Sequence, residues 1–137
     1  MAVDLRDPGE TFLAFWREYH VCTLTTPRPD GTPHVVAVGG TYAPEDGERG
    51  IARVIANRHS RKVANVLAAG PDGARAALCQ VAGRHWATLE GVARIRAEPE
   101  EVAYAVERYT ARYGRTPSPN PDRVVIEITL TRAMGRT

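Results

Sequence analysis

Lysine is almost missing from this chain: of its 18 basic residues, only Lys62 is a lysine. Cysteine is nearly as scarce. Cys22 and Cys79 lie far apart with no CxxC spacing, which excludes a disulfide scaffold and the paired-thiol redox motifs. No apolar run approaches the roughly 18 residues a membrane-spanning helix needs, and the opening MAVDLRD has no apolar core of a secretory signal. The phosphate loops GxxxxGKS/T and GxGxxG are absent, as is GxSxG, so neither a P-loop, a Rossmann dinucleotide site nor a serine hydrolase is indicated. A strong charge of one sign is missing too. The formal net charge is +2, too small for a protein that coats nucleic acid. The expectation is a cytoplasmic domain with no membrane or nucleic-acid partner and two buried, reduced thiols.

What remains is 137 residues, long enough to bury a sizeable core without metal or disulfide, and read as a single domain, 1–137. DPGETFLAFWREY carries Phe12, Phe15, Trp16 and Tyr19 at helical spacing and predicts a helix from Pro8 to Tyr19. HVCTLTT and HVVAVGGTYA, joined by PRPDGTP, predict a hairpin with Asp30-Gly31 at its turn. IARVIAN is a third strand. SRKVANVLAAG is a short helix with Ser60 at the N-cap and Gly70 as terminator. RAALCQVA and ATLEGVARIRA are two further strands, EPEEVAYAVERYTARYG a helix with acids in its first turn, and DRVVIEITLTR a sixth strand. Six strands joined by short turns, with few helices, point to a mainly β (α+β) fold: an antiparallel barrel with flanking helices.

The stretch NRHSRKVANV, Asn57 to Val66, concentrates cations where that third strand becomes a helix, with no acidic residue between Ile51 and Pro71. A helix N-terminus presents unpaired N–H groups and the positive end of the macrodipole, which together form an anion site. Arg61 and Lys62 in the first helical turn oppose that dipole, each at about 0.3–1 kcal/mol. Two readings stay open on these residues alone: a solvated basic turn, or a phosphate site in which an anion offsets the cost. His20 and Cys22, two apart on one strand face, have no second pair at ligand spacing, so no metal site is indicated.

The segments PHVVAV, IARVIANRHSRKVANV and LCQVAGRHWATLEGVARI resemble the pyridoxamine-phosphate-oxidase-like, FMN-binding split barrels. From Leu24 through RYGRTPSPNPDRVVIEI to the C-terminus, the likeness is to the actinobacterial branch that uses the deazaflavin coenzyme F-420 in place of FMN, the biliverdin reductases in particular. The resemblance implies a six-stranded split barrel and a homodimer with cofactor sites at the subunit interface, across which Glu90 and Glu127 would pair with arginines. Ser60, Arg61 and Lys62 match the triplet that holds the cofactor phosphate. His34 would sit beside the ring system or the phosphate, though it is equally readable as a barrel residue. Ile55 and Ala56 would offer backbone groups to the ring edge, with Asn57 beside them. Arg84, His85, Trp86 and Ala87 would come from the second subunit. Where the FMN oxidases carry Arg and Lys on the strand after the first hairpin turn, this chain has His34 and Gly39, which speaks against pyridoxamine phosphate oxidase activity.

The implied activity is hydride transfer from reduced F-420 to biliverdin or a similar conjugated acceptor. No motif names a catalytic residue; His85 is the candidate proton donor, and Arg84, Arg115 or Arg123 are candidates to meet a bilin's propionates. The alternatives are an FMN-dependent oxidoreductase on the same fold and a non-catalytic protein that binds the coenzyme.

Overall fold

A computed structural model describes residues Met1–Thr137. Eight strands and three helices follow in the order β1 (Ala2–Val3), α1 (Glu10–Arg17), β2 (Cys22–Pro27), β3 (Pro33–Val38), β4 (Gly40–Ala43), β5 (Ile51–Asn57), α2 (Arg61–Ala68), β6 (Ala74–Ala82), β7 (His85–Arg96), α3 (Pro99–Tyr113) and β8 (Arg123–Arg136). All pairings are antiparallel, and one sheet runs β3-β2-β6-β7-β8-β5-β4, with β1 added to the far end of β8. The three helices expected from periodicity are present within two residues of their expected ends.

The strand count is eight rather than six. One extra strand is the two-residue β1. The other arises because HVVAVGGTYA divides at Gly39, where a Cβ would stand 2.7 Å from the Tyr109 ring. The Tyr113 hydroxyl accepts the Gly40 N–H at 3.0 Å and lies 2.9 Å from the carbonyls of both His20 and Gly40. Two tyrosines of α3 thus fix a corner in the chain, and β3 and β4 become opposite edges of a curled sheet. A second irregularity, between Glu90 and Gly91, shifts the β7–β8 register and bends the two longest strands, as bulges do.

Alternation along the strands sends Leu24, Leu78, Leu89, Ile126 and Ile128 inward, all fully buried, together with Phe12, Phe15 and Trp16 of α1 and Val63 and Val66 of α2. Each such side chain contributes about 1.5–3 kcal/mol. Two amides are buried with them and are bonded. Gln80 donates to the Phe15 carbonyl at 2.8 Å, and Asn65 donates to the Thr26 hydroxyl at 3.1 Å, which ties α2 to β2. Cys22 is buried as expected, but Cys79 is partly exposed, because its position in β6 faces outward, opposite Thr23 and Thr88. Glu127 pairs with Arg96 of the same chain at 3.2 Å, since β7 and β8 place Arg94 and Arg96 beside it, so its partner is internal. No helix is long and apolar enough to cross a membrane.

Candidate functional site

Asn57, the last residue of β5, organises the turn into α2. Its Oδ1 accepts the His59 N–H at 2.9 Å, and its carbonyl accepts both the N–H and the hydroxyl of Ser60, at 3.0 and 2.8 Å. Ser60 therefore occupies the N-cap without capping: its hydroxyl turns back to Asn57 and makes no bond to the helix. The first helical bond is Ala64 N–H to the Ser60 carbonyl, so the N–H groups of Arg61, Lys62 and Val63 have no backbone partner and point out of the helix start.

The cations of the stretch separate into two sets. Arg58 and His59 are engaged by Asp122 of the proline-rich loop before β8, at 3.6 and 3.8 Å, and the Arg58 N–H bonds the Asp122 carbonyl at 2.8 Å. Arg61 and Lys62 form no ion pair, and the first turn of α2 holds no acid. Arg28, in the β2–β3 turn, joins this second set. Its guanidinium donates to the Pro33 carbonyl at 2.6 Å and enters no ion pair, although the Asp30 carboxylate of the same turn feels its charge. Thr26 faces His34 in the β2–β3 register, which sets His34 on the same side of the sheet as the buried Leu24.

His34 is half-buried, and its Nδ1 is sealed from solvent with no hydrogen-bond partner. Loss of solvent lowers its pKa below the ordinary histidine value, and the charges of Arg28, Lys62 and Arg61 push in the same direction. The imidazole is thus held neutral among three unpaired cations. Unpaired guanidinium and ammonium groups beside the open N–H groups of a helix start form an anion cradle. A phosphate fits: open backbone N–H groups, two guanidinium groups and an ammonium converge there, and the nearby Asp30 carboxylate is turned to the Thr32 N–H and hydroxyl. Arg28 was not legible as a member beforehand, because nothing in its spacing links a hairpin turn to a helix three elements away.

The other expected site residues are distributed differently. Ala56 and Ala87 are buried in the barrel interior, so only their backbones can face a ligand. Ile55 is half-buried opposite Val125. Arg84 and His85 are exposed on the β6–β7 turn, and Trp86 is half-buried opposite Val81. That turn lies away from the cradle within one chain. Thr25, next to the cradle's Thr26, pairs with Ala77, whereas Trp86 pairs with Val81, four residue steps of about 3.3 Å along β6.

The sequence profile of the pyridoxamine 5'-phosphate oxidases matches residues 9–135. The chain belongs to that family. This family member is 46% identical over 123 residues to an F-420(H2)-dependent biliverdin reductase of Mycobacterium tuberculosis, covering 90% of this chain and 84% of that protein. Among solved structures, an F-420 reductase superposes with a TM-score of 0.68 at 25% identity, covering 92% of this chain and 98% of the other. General stress protein 26 of Bacillus anthracis superposes with a TM-score of 0.59 at 15% identity, covering 90% and 88%; at that identity the likeness is one of fold. The curled antiparallel sheet with three helices is the split barrel of this family.

Proposed function

We propose that this family member is a coenzyme F-420-dependent reductase acting on biliverdin or a similar conjugated acceptor. The observation that carries the reading is the cradle of Arg28, Arg61 and Lys62, none of them in an ion pair, beside the open N–H groups at the start of α2 and the neutral His34. The 46% identity to a protein named for F-420 and biliverdin selects among the cofactors that carry a phosphate. When bound, the reduced deazaflavin supplies a hydride, and the protein's tasks are binding, orientation and exclusion of water.

In this reading the open N–H groups of α2 and the Lys62 ammonium hold the phosphate as point donors, and Arg61 offers a planar fork to it. Arg28 closes the anion from the β2–β3 side, and the neutral His34 ring lies beside it without adding charge. Asp122 keeps Arg58 and His59 out of the cradle and holds the loop that flanks it. Arg84, His85 and Trp86 reach the site from a second copy of the chain: Trp86 offers a flat apolar shelf, and His85 supplies a proton to the reduced acceptor.

The surface for that second copy is the outward face of the sheet, where Val35 is 56% and Val81 65% exposed and Ala37, Cys79 and Thr88 complete a small, uncharged patch. Large apolar side chains left bare on the outer face of a sheet are characteristic of an interface. A second reading, an FMN-dependent oxidoreductase, follows from the family itself, because the cradle recognises the phosphate that both cofactors carry.

Parallel fluorescence titrations with F-420 and FMN, followed by an anaerobic assay of reduced F-420 with biliverdin, test the proposal. Tighter F-420 binding and bilin-dependent oxidation of the cofactor are expected. Preference for FMN would replace the reading with the second one, and binding of neither would remove the cradle's assignment.

A further inference from the structure

The outward face of the sheet carries a second apolar feature at the end where β2 begins. Cys22 pairs with Val38 of β3 and with Gln80 of β6. One residue beyond these three stand Val21, Gly39 and Val81, in a row that crosses the strands. Val81 pairs in turn with Trp86, and Trp86 with Arg136. Val21 is 62% exposed and Trp86 is half-buried. Gly39 has no side chain of its own, and the Tyr109 ring takes that place, 2.7 Å from where a Cβ would stand. Tyr19, 58% exposed, stands edge to face with Tyr113, which leans on Tyr109 with ring centroids 4.8 Å apart. Of the six large apolar side chains that the chain leaves exposed, three therefore lie in or beside this row. Strands about 4.8 Å apart make it about 14 Å wide from Gly39 to Trp86, with an aromatic ring at each end.

Both ends are also cationic. Arg115 donates to the Tyr109 hydroxyl at 3.2 Å, and a guanidinium that gives up one N–H keeps its charge and four other donors. At the other end Arg136 faces Trp86, and Arg84 lies in the turn between β6 and β7. None of the three enters an ion pair. Arg123, the remaining arginine considered for a carboxylate, pairs with Asn57 and donates to the Ser118 carbonyl at 2.7 Å, so it has no part in the row.

We propose that this row is the acceptor's shelf and takes a flat, extended conjugated dicarboxylate. The conjugated system lies over Tyr109, Val21, Val81 and Trp86, stacking against the two rings. One carboxylate meets Arg115 and the other meets Arg84 or Arg136. The assignment rests on the reductase reading and deepens it. Trp86 already comes from a second copy to the cofactor in that reading, and the row extends its surface outward, with Val81 at the border of the interface.

The test titrates biliverdin and its dimethyl ester into the full-length protein without cofactor, read by quenching of tryptophan fluorescence, with F-420 titrated in parallel. Biliverdin is expected to bind saturably, and the ester, which lacks both charges, about tenfold more weakly. Arg115→Gln is expected to weaken biliverdin about tenfold and to leave F-420 affinity unchanged. Val21→Asp replaces an exposed side chain, so it is expected to weaken both bilins without altering the sedimentation coefficient. Equal affinity for the ester, or an Arg115→Gln variant that binds biliverdin as the wild type does, would overturn the proposal. So would a Val21→Asp variant that sediments as a monomer, which would give the row to the second copy. A wild-type protein that binds biliverdin over its ester but not F-420 would overturn the reductase reading while supporting the shelf.

Discussion

Lys62→Ala is expected to move binding and stability in opposite directions. Lys62 is half-buried and unpaired, and it sits at the second residue of α2, where the macrodipole is positive. Two unit charges about 5 Å apart attract by about 0.8 kcal/mol in water and about 3 kcal/mol at an effective dielectric of 20. A half-buried ammonium falls between these, at about 1.5–2 kcal/mol, which is roughly a 10- to 30-fold loss of affinity for a phosphate-bearing cofactor. In the unliganded protein the same change removes a cation that opposes the dipole and should stabilise by about 0.3–1 kcal/mol, or about 1–4 °C in melting temperature for a domain of this size. Arg58→Ala is the control. Arg58 is exposed and engaged by Asp122 at 3.6 Å, and such surface pairs contribute little, so its affinity should stay within about twofold of wild type. Fluorescence titration and thermal melts of both variants, with F-420 and with FMN, decide the matter. Equal losses in the two variants, or an unchanged Lys62→Ala affinity, would refute the assignment of the cradle. A fall in affinity together with a fall in melting temperature would refute the claim that Lys62 is held there at the helix's expense.

Gly91→Ala at the β7–β8 bulge would set a Cβ 2.1 Å from the Thr129 carbonyl oxygen and 2.8 Å from its carbon. Backbone cannot give way there as a side chain can, so a loss of about 3 kcal/mol or more is expected, read as a fall of about 1 M or more in the urea midpoint; an unshifted midpoint would contradict the clash. Because the folded His34 pKa lies below its ordinary 6.5, the folded state binds its proton less readily than the unfolded one. Stability should be flat above that value and fall as pH drops below it, and His34→Gln should remove part of the slope in urea midpoints taken from pH 5 to 7. An identical slope in the variant would show that other groups carry it. If the proposed dimer forms through the outward sheet face, Val81→Asp should yield a monomer by sedimentation and abolish cofactor binding; a dimeric variant would move the interface elsewhere.

The sequence by itself determined the local elements and the chemistry of one turn. Phe12, Phe15 and Trp16 at helical spacing, the alternation in the strands, and the basic run ending in Lys62 are properties of neighbouring residues. Short-range sterics, capping and the dipole act on those without reference to the rest of the chain. It was also enough to place the chain among the split barrels, because Ser60, Arg61 and Lys62 follow a strand end in the pattern that family shares. What it did not contain were the effects of residues brought together from afar. Gly39 becomes a corner only because Tyr109 and Tyr113, about seventy positions later, press on it. Arg58 and His59 leave the cradle because Asp122 reaches them, and Arg28 enters it because the β2–β3 hairpin folds toward the start of α2. Which cations are free and which are spent is a question of distance between elements, and only the tertiary structure sets those distances.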